Sequence, residues 1–156
     1  MFILQAAIAA FIASLAYAMV FELRGKTLFL TSLGGAISWV GYKLILLIPD
    51  VHYLLPFLIG TILSSIYAEV MARLLKKPAT VFLIVAMLPL VPGQGIYETM
   101  VAFVTGNNSL GARIGGQTLA ITATLAIGML MTSTIFRLVM KLNRHVSQWE
   151  HSMKSR

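Results

Sequence analysis

At 156 residues the chain is 58% hydrophobic and only 11% charged, with a mean hydropathy of +0.87. A soluble domain carries about a quarter charged residues, so a soluble globular fold is excluded. The formal net charge of +7 sits in short clusters beside apolar runs, which is the positive-inside pattern of membrane proteins and not a nucleic-acid face. The absence of cysteine removes disulfides, thiolate catalysis and thiolate metal sites.

Several apolar runs are longer than the roughly 18 residues at which a membrane span becomes the expected structure. The composition therefore predicts an all-α integral membrane protein. The first run covers residues 3–21 and ends at Glu22, Arg24, Gly25 and Lys26. Ala16-Tyr17-Ala18 imitates a signal-peptide cleavage site, but no Lys or Arg precedes Arg24, so a cleavable signal is not expected. The second run, 28–48, carries Gly34 and Ser38 four residues apart. Such a small-xxx-small pair lets another helix approach closely, and this face is a candidate surface for a partner. Pro49 and Asp50 stop the run, and His52 and Tyr53 fall in a short turn.

The third run, 54–75, closes at Arg73, Lys76, Lys77 and Pro78. The fourth, 79–105, contains Pro89-Leu90-Val91-Pro92-Gly93-Gln94-Gly95-Ile96-Tyr97-Glu98. Each proline removes a backbone donor, clashes with the preceding turn, and pushes the residue before it out of the α region. Gly93 and Gly95 tolerate unusual backbone angles. The helix is expected to end near Leu88, with a second half-helix starting at Pro92 or Gly93. Unbroken, this run would be ~40 Å long, more than a ~30 Å hydrocarbon core requires. Gly106-Asn107-Asn108-Ser109 reads as a turn. The fifth run, 115–142, is threonine-rich, and a polar tail at 145–156 follows. The Thr118, Thr122, Thr132 and Ser133 set in this run reads as packing glue between helices.

Five spans place the 22–27 turn, the 73–78 turn and the C-terminal end on one side. That side holds Arg24, Lys26, Arg73, Lys76, Lys77, Arg137, Lys141, Arg144, Lys154 and Arg156, against Arg113 and Lys43 on the other. This asymmetry predicts an outside N-terminus and a cytosolic C-terminus. A single transmembrane domain over 1–144 is expected, with a partly disordered cytosolic tail at 145–156.

A broken helix at membrane depth is tolerated where it lines a cavity, and transporters place substrate there. Pro89, Pro92, Gly93, Gln94, Gly95, Tyr97 and Glu98 are the candidate substrate-binding residues. The outer half-helix would turn free amides and the positive end of its dipole toward a carboxylate, while the inner half-helix offers carbonyls to an ammonium group or cation. A zwitterionic amino acid or small carboxylate fits that pair of ends. The competing reading is a proline kink that only shapes packing. A carboxylate inside a span suggests function, so Glu98 is either a proton carrier or ammonium ligand, or a structural ion pair with Lys43. Glu69 and Arg73, one turn apart, read as an i,i+4 ion pair near the cytosolic edge. No histidine lies in a span to activate a serine, so an intramembrane enzyme is disfavoured. No metal site and no cofactor are expected.

Certain of these residues resemble the C-terminal half of the threonine/serine exporter family. They are Ala18-Met19-Val20-Phe21, Tyr67-Ala68-Glu69 ahead of Arg73, Lys76, Lys77 and Pro78, and Pro89-Leu90-Val91-Pro92-Gly93 followed by Tyr97 and Met100. The resemblance implies a secondary transporter that exports small amino acids such as threonine and serine, or small dicarboxylates. It implies the small subunit of the split form, multi-pass in a bacterial cytoplasmic (inner) membrane, whose larger partner supplies another set of spans. The odd span count separately predicts assembly with a second, oppositely oriented five-span unit, the larger subunit or a further copy in a homo-oligomer. The alternative is a membrane interaction or assembly subunit that does not itself transport.

Overall fold

The computed structural model describes the backbone of residues 2–154 and the side chains of residues 3–141. The side chains of the tail, including Arg144, His145, His151, Lys154 and Arg156, lie outside the described residues. The helices are α1 (Phe2–Val20), α2 (Lys26–Ile45), α3 (Leu55–Leu74), α4 (Ala79–Met87), α5 (Gly93–Val104) and α6 (Asn108–Lys154). A 3-10 turn over Leu88–Leu90 follows α4. By length and composition α1, α2, α3 and α6 can each cross a membrane, and α4 with α5 make a fifth span bent by 54°.

The ends of these helices have local causes. After α1, Leu23 donates its N–H to the Ala18 carbonyl at 3.0 Å and Glu22 takes a positive φ of 55°. After α3 the same closure recurs with Lys77 to Ala72 at 2.9 Å and Lys76 at φ 51°. These are Schellman closures, which satisfy the last carbonyls of a helix. Gly106 does this before α6 at φ 80°, where glycine meets no Cβ penalty. Leu110 N–H then donates to the Asn107 side-chain oxygen at 3.3 Å, an N-cap that starts α6 at Asn108 and not at the expected 115. The helix continues through the expected tail to Lys154.

Helices α2 and α3 are the most buried of the spans, and α4 lies against both. The first two also pack on each other; α1 covers α2, and α6 covers α3. Phe82, Val85 and Ala86 of α4 are essentially without exposure. Around them the walls are small and hydroxylated: Thr31, Ser32, Gly34, Gly35 and Ser38 of α2, and Gly60, Thr61, Ser64, Ser65 and Ala68 of α3 are buried. Small residues let helices approach closely where lipid provides no hydrophobic drive between them. A Cβ on Gly34 would stand 2.9 Å from the Tyr67 ring and 3.0 Å from Ala86, and one on Gly35 would collide with the Ser14 side chain. The Gly34/Ser38 face is therefore interior. It joins α2 to α3 and α4 and is not a surface for a partner, which corrects the expectation from its spacing alone.

Polar cross-links fasten the same three helices. Tyr67 donates its hydroxyl to the Leu30 carbonyl at 2.7 Å, and Lys77 Nζ reaches Thr27 Oγ1 at 2.8 Å. Ser38 Oγ lies 2.7 Å from the Ala86 carbonyl and 2.9 Å from that of Gly35. The Ala86 contact matters because the last carbonyls of a helix lack partners, and Pro89 has no N–H to offer. Ser38→Ala is expected to lower stability by about 1 kcal/mol or more, the cost of leaving a buried acceptor unmet. Ser32→Ala, which removes only a bond to its own helix at Leu28, is expected to cost less. Thermal unfolding of both variants in the same detergent checks the difference.

Candidate functional site

The site is built where α4 stops. Nine residues of α4 and the three-residue 3-10 turn precede the break, and the twelve residues of α5 follow it. Each half is thus about 18 Å long, by the rise of a helix. Val91 donates to the Leu88 carbonyl at 3.2 Å, closing the 3-10 turn. Pro92 then sits at φ −78°, ψ 59°, the angles of an inverse γ-turn, and Gly93 N–H donates to the Val91 carbonyl at 2.8 Å. Ile96 N–H returns to the Pro92 carbonyl at 3.2 Å. No side chain caps α5, which leaves the amides of Gln94 and Gly95 as the open donors of its first turn. Gly93 is at the start of the half-helix as expected, but the γ-turn occupies its own amide.

Helix α5 packs only on α6 among the described elements. The seam is set by glycines: a Cβ on Gly95 would collide with Thr118 Oγ1, one on Gly115 would stand 3.1 Å from Thr99, and one on Gly111 would stand 3.1 Å from Phe103. With α5 held to α6 and tilted from α4, a cavity of about 300 Å³ remains between the break and the ends of α2 and α3. Its lining includes Pro89, Pro92, Gly93, Gln94, Gly95 and Glu98, six of the seven candidate substrate-binding residues. Tyr97 is not among the lining residues and is 69% exposed, because it lies on a different face of α5 from Gln94 and Glu98.

Gln94 Nε2 donates to Glu98 Oε1 at 2.7 Å, one turn apart on α5. Lys43 Nζ stands 5.4 Å from the Trp39 ring centroid and 5.9 Å from that of Tyr42, within cation–π range. Glu69 and Arg73 approach to 3.5 Å within one turn of α3, and the Arg73 guanidinium lies 4.9 Å over the Phe136 ring. This pair does not line the cavity. The remaining lining is Trp39 and Tyr42 of α2, Phe57 of α3, Leu90 and Val91 of the break, and Thr118 and Ile121 of α6. None of these was a candidate from the sequence. The Trp39/Tyr42 spacing puts both rings on one face of α2, a signal that was present but unassigned.

The chain's sequence matches the family described as Threonine/Serine exporter, ThrE, over residues 6–135. The chain belongs to the threonine/serine exporter family. The match runs from α1 through the break and most of the apolar part of α6. It supports a transporter-type function in a multi-pass membrane protein surrounded by lipid. No curated protein and no solved structure matches the chain.

In this exporter-family chain the two glycines of the break have different surroundings. A Cβ on Gly93 meets nothing within 4 Å, whereas one on Gly95 runs into Thr118. Gly93→Ala is therefore expected to leave fold and activity near normal, and Gly95→Val to displace α5 and lower activity at least about tenfold, as misplacement of binding groups by an ångström does. Gly95→Ala is expected to cause a smaller loss, part of which Thr118→Ala restores by removing the hydroxyl that its Cβ meets. Transport rates at matched protein levels check all three.

Proposed function

We propose that this chain is a subunit of a secondary transporter that exports small amino acids of the threonine/serine type, or small carboxylates, and holds them at the Pro89–Gly95 break. The observation that carries the reading is the cavity of about 300 Å³ lined by Pro89, Pro92, Gly93, Gln94, Gly95 and Glu98. A substrate carboxylate would take the open amides of Gln94 and Gly95 at the positive end of α5. Glu98, already positioned by Gln94, would face the ammonium group. Membership in the exporter family supports the direction of transport.

We place the N-terminus outside and the C-terminus in the cytosol of a bacterial inner membrane, on the distribution of Lys and Arg between the spans in the sequence; a periplasmic reporter signal after Arg156 would contradict this. The reading includes a second unit, either a larger five-span subunit or another copy, as transporters commonly pair two repeats around a midplane site. A non-transporting assembly subunit is the second reading. It is favoured by the exposed face of α5, where Tyr97, Met100 and Val104 are 69%, 63% and 86% exposed.

Replacing Pro92 and Gly93 together by Ala restores a backbone donor and removes the γ-turn, so a more continuous helix forms across the break. Serine or threonine efflux from vesicles is expected to fall at least about tenfold, with little change in membrane insertion or assembly. Efflux at the normal rate would favour the assembly reading.

A further inference from the structure

Three aromatic side chains from α2 and α3 line the cavity. Trp39 stacks on Tyr42 with centroids 5.0 Å apart and planes 20° apart, and Tyr42 meets Phe57 at 4.8 Å and 56°. All three line the same cavity as the Pro92–Gly95 turn and Glu98. They come from two helices whose backbones are drawn together beside them. A Cβ on Gly60 would stand 3.0 Å from the Ser38 carbonyl oxygen and 3.1 Å from Leu90, and one on Gly41 would collide with Leu63. Pro56, fully buried in the first turn of α3, fixes the backbone just before Phe57. Lys43 Nζ lies within cation–π distance of Trp39 and Tyr42.

We propose that Trp39, Tyr42 and Phe57 form the wall that sizes the substrate's side chain, which restricts the break to amino acids with short side chains. This rests on the reading of the break as the substrate site. A guest anchored by its carboxylate at Gln94 and Gly95 projects its remaining atoms across the cavity toward these rings. Trp39, Tyr42 and Phe57 are each partly buried, and their places are held by contact with one another and by the close α2–α3 approach at Gly41 and Gly60. A small polar side chain fits beside the wall; a branched or long one meets it. Steric exclusion of this kind acts on size and accounts for discrimination of about 10- to 200-fold per methylene. Phe57 and Tyr42 are the specificity-determining members, and Trp39 backs them.

The chain holds two tryptophans, Trp39 and Trp149, so Trp149→Phe leaves Trp39 as the sole reporter in the cavity. Full-length protein of that form, in lipid nanodiscs, is titrated with serine, valine and leucine, following Trp39 emission and the heat of binding. Serine is expected to shift Trp39 emission saturably and leucine to bind at least about tenfold more weakly. In Phe57→Ala that serine-to-leucine ratio is expected to fall about tenfold or more, chiefly through tighter leucine binding. Phe57→Leu, a milder change that preserves apolar packing, is expected to shift the ratio in the same direction. A ratio unchanged in both variants while serine still binds would overturn the wall. So would serine binding measured as heat with no response from Trp39. If no amino acid or small carboxylate binds the parent protein at all, the reading of the break as substrate site fails, and the wall falls with it.

Discussion

The backbone hydrogen-bond account of α4 governs the rest of the structure. In hydrocarbon an unmet peptide group costs several kcal/mol, so a helix can be interrupted only where protein or water takes over its bonds. Pro89 and Pro92 each delete a donor. The chain answers with a 3-10 turn at Leu88–Leu90, an inverse γ-turn at Pro92, and the Ser38 hydroxyl on the Ala86 carbonyl. The last of these depends on close approach of α2 to α4, which the small residues on the facing sides of α2 and α3 permit. The seat of α4 against both α2 and α3 follows from the same need. A broken helix at the periphery would have lipid where α4 has Ser38.

What these answers leave open lies on the α5 side. On the carbonyl side Ser38 meets Ala86 and the 3-10 turn meets Leu88, whereas the amides of Gln94 and Gly95 have no cap. In the proposed reading these uncapped amides are the receptor for an anionic group. The glycine seam of α5 on α6 holds that amide end across a gap from Trp39, Tyr42 and Phe57. The cavity is thus a product of two packing choices: small residues that pull α5 onto α6, and large rings that keep α2 and α3 filled on the opposite wall.

Much of this was legible in the sequence because proline and glycine act locally. Pro-x-x-Pro-Gly fixed the end of the inner half-helix to within a residue of Leu88 and the start of the outer one at Gly93. The five apolar runs and their basic ends corresponded to helices α1 to α6 once α4 and α5 are joined. What was not legible depends on partners distant in the chain. Gly34 and Ser38 looked the same from sequence whether they faced another subunit or α4, and only the contacts with Tyr67 and Ala86 decide it. Tyr97 was grouped with its neighbours by adjacency, although helical rotation turns it off the face shared by Gln94 and Glu98. Phe57 joins Tyr42 only through the α2–α3 approach at Gly41 and Gly60. Asn107 reads as a turn residue in the sequence but also caps a helix, so α6 starts ahead of its apolar run.

The central claim is that the open amides of the α5 terminus receive a substrate carboxylate. Amide resonances of the protein labelled with 15N-glycine, in nanodiscs and titrated with serine and separately with serinamide, test it most directly. The expected result is a saturable shift largest at Gly95, smaller at Gly93 whose amide is held by Val91, and absent with serinamide, which lacks the carboxylate. Shifts equal for serine and serinamide, or centred on Gly115 and Gly116 instead of the break, would contradict it.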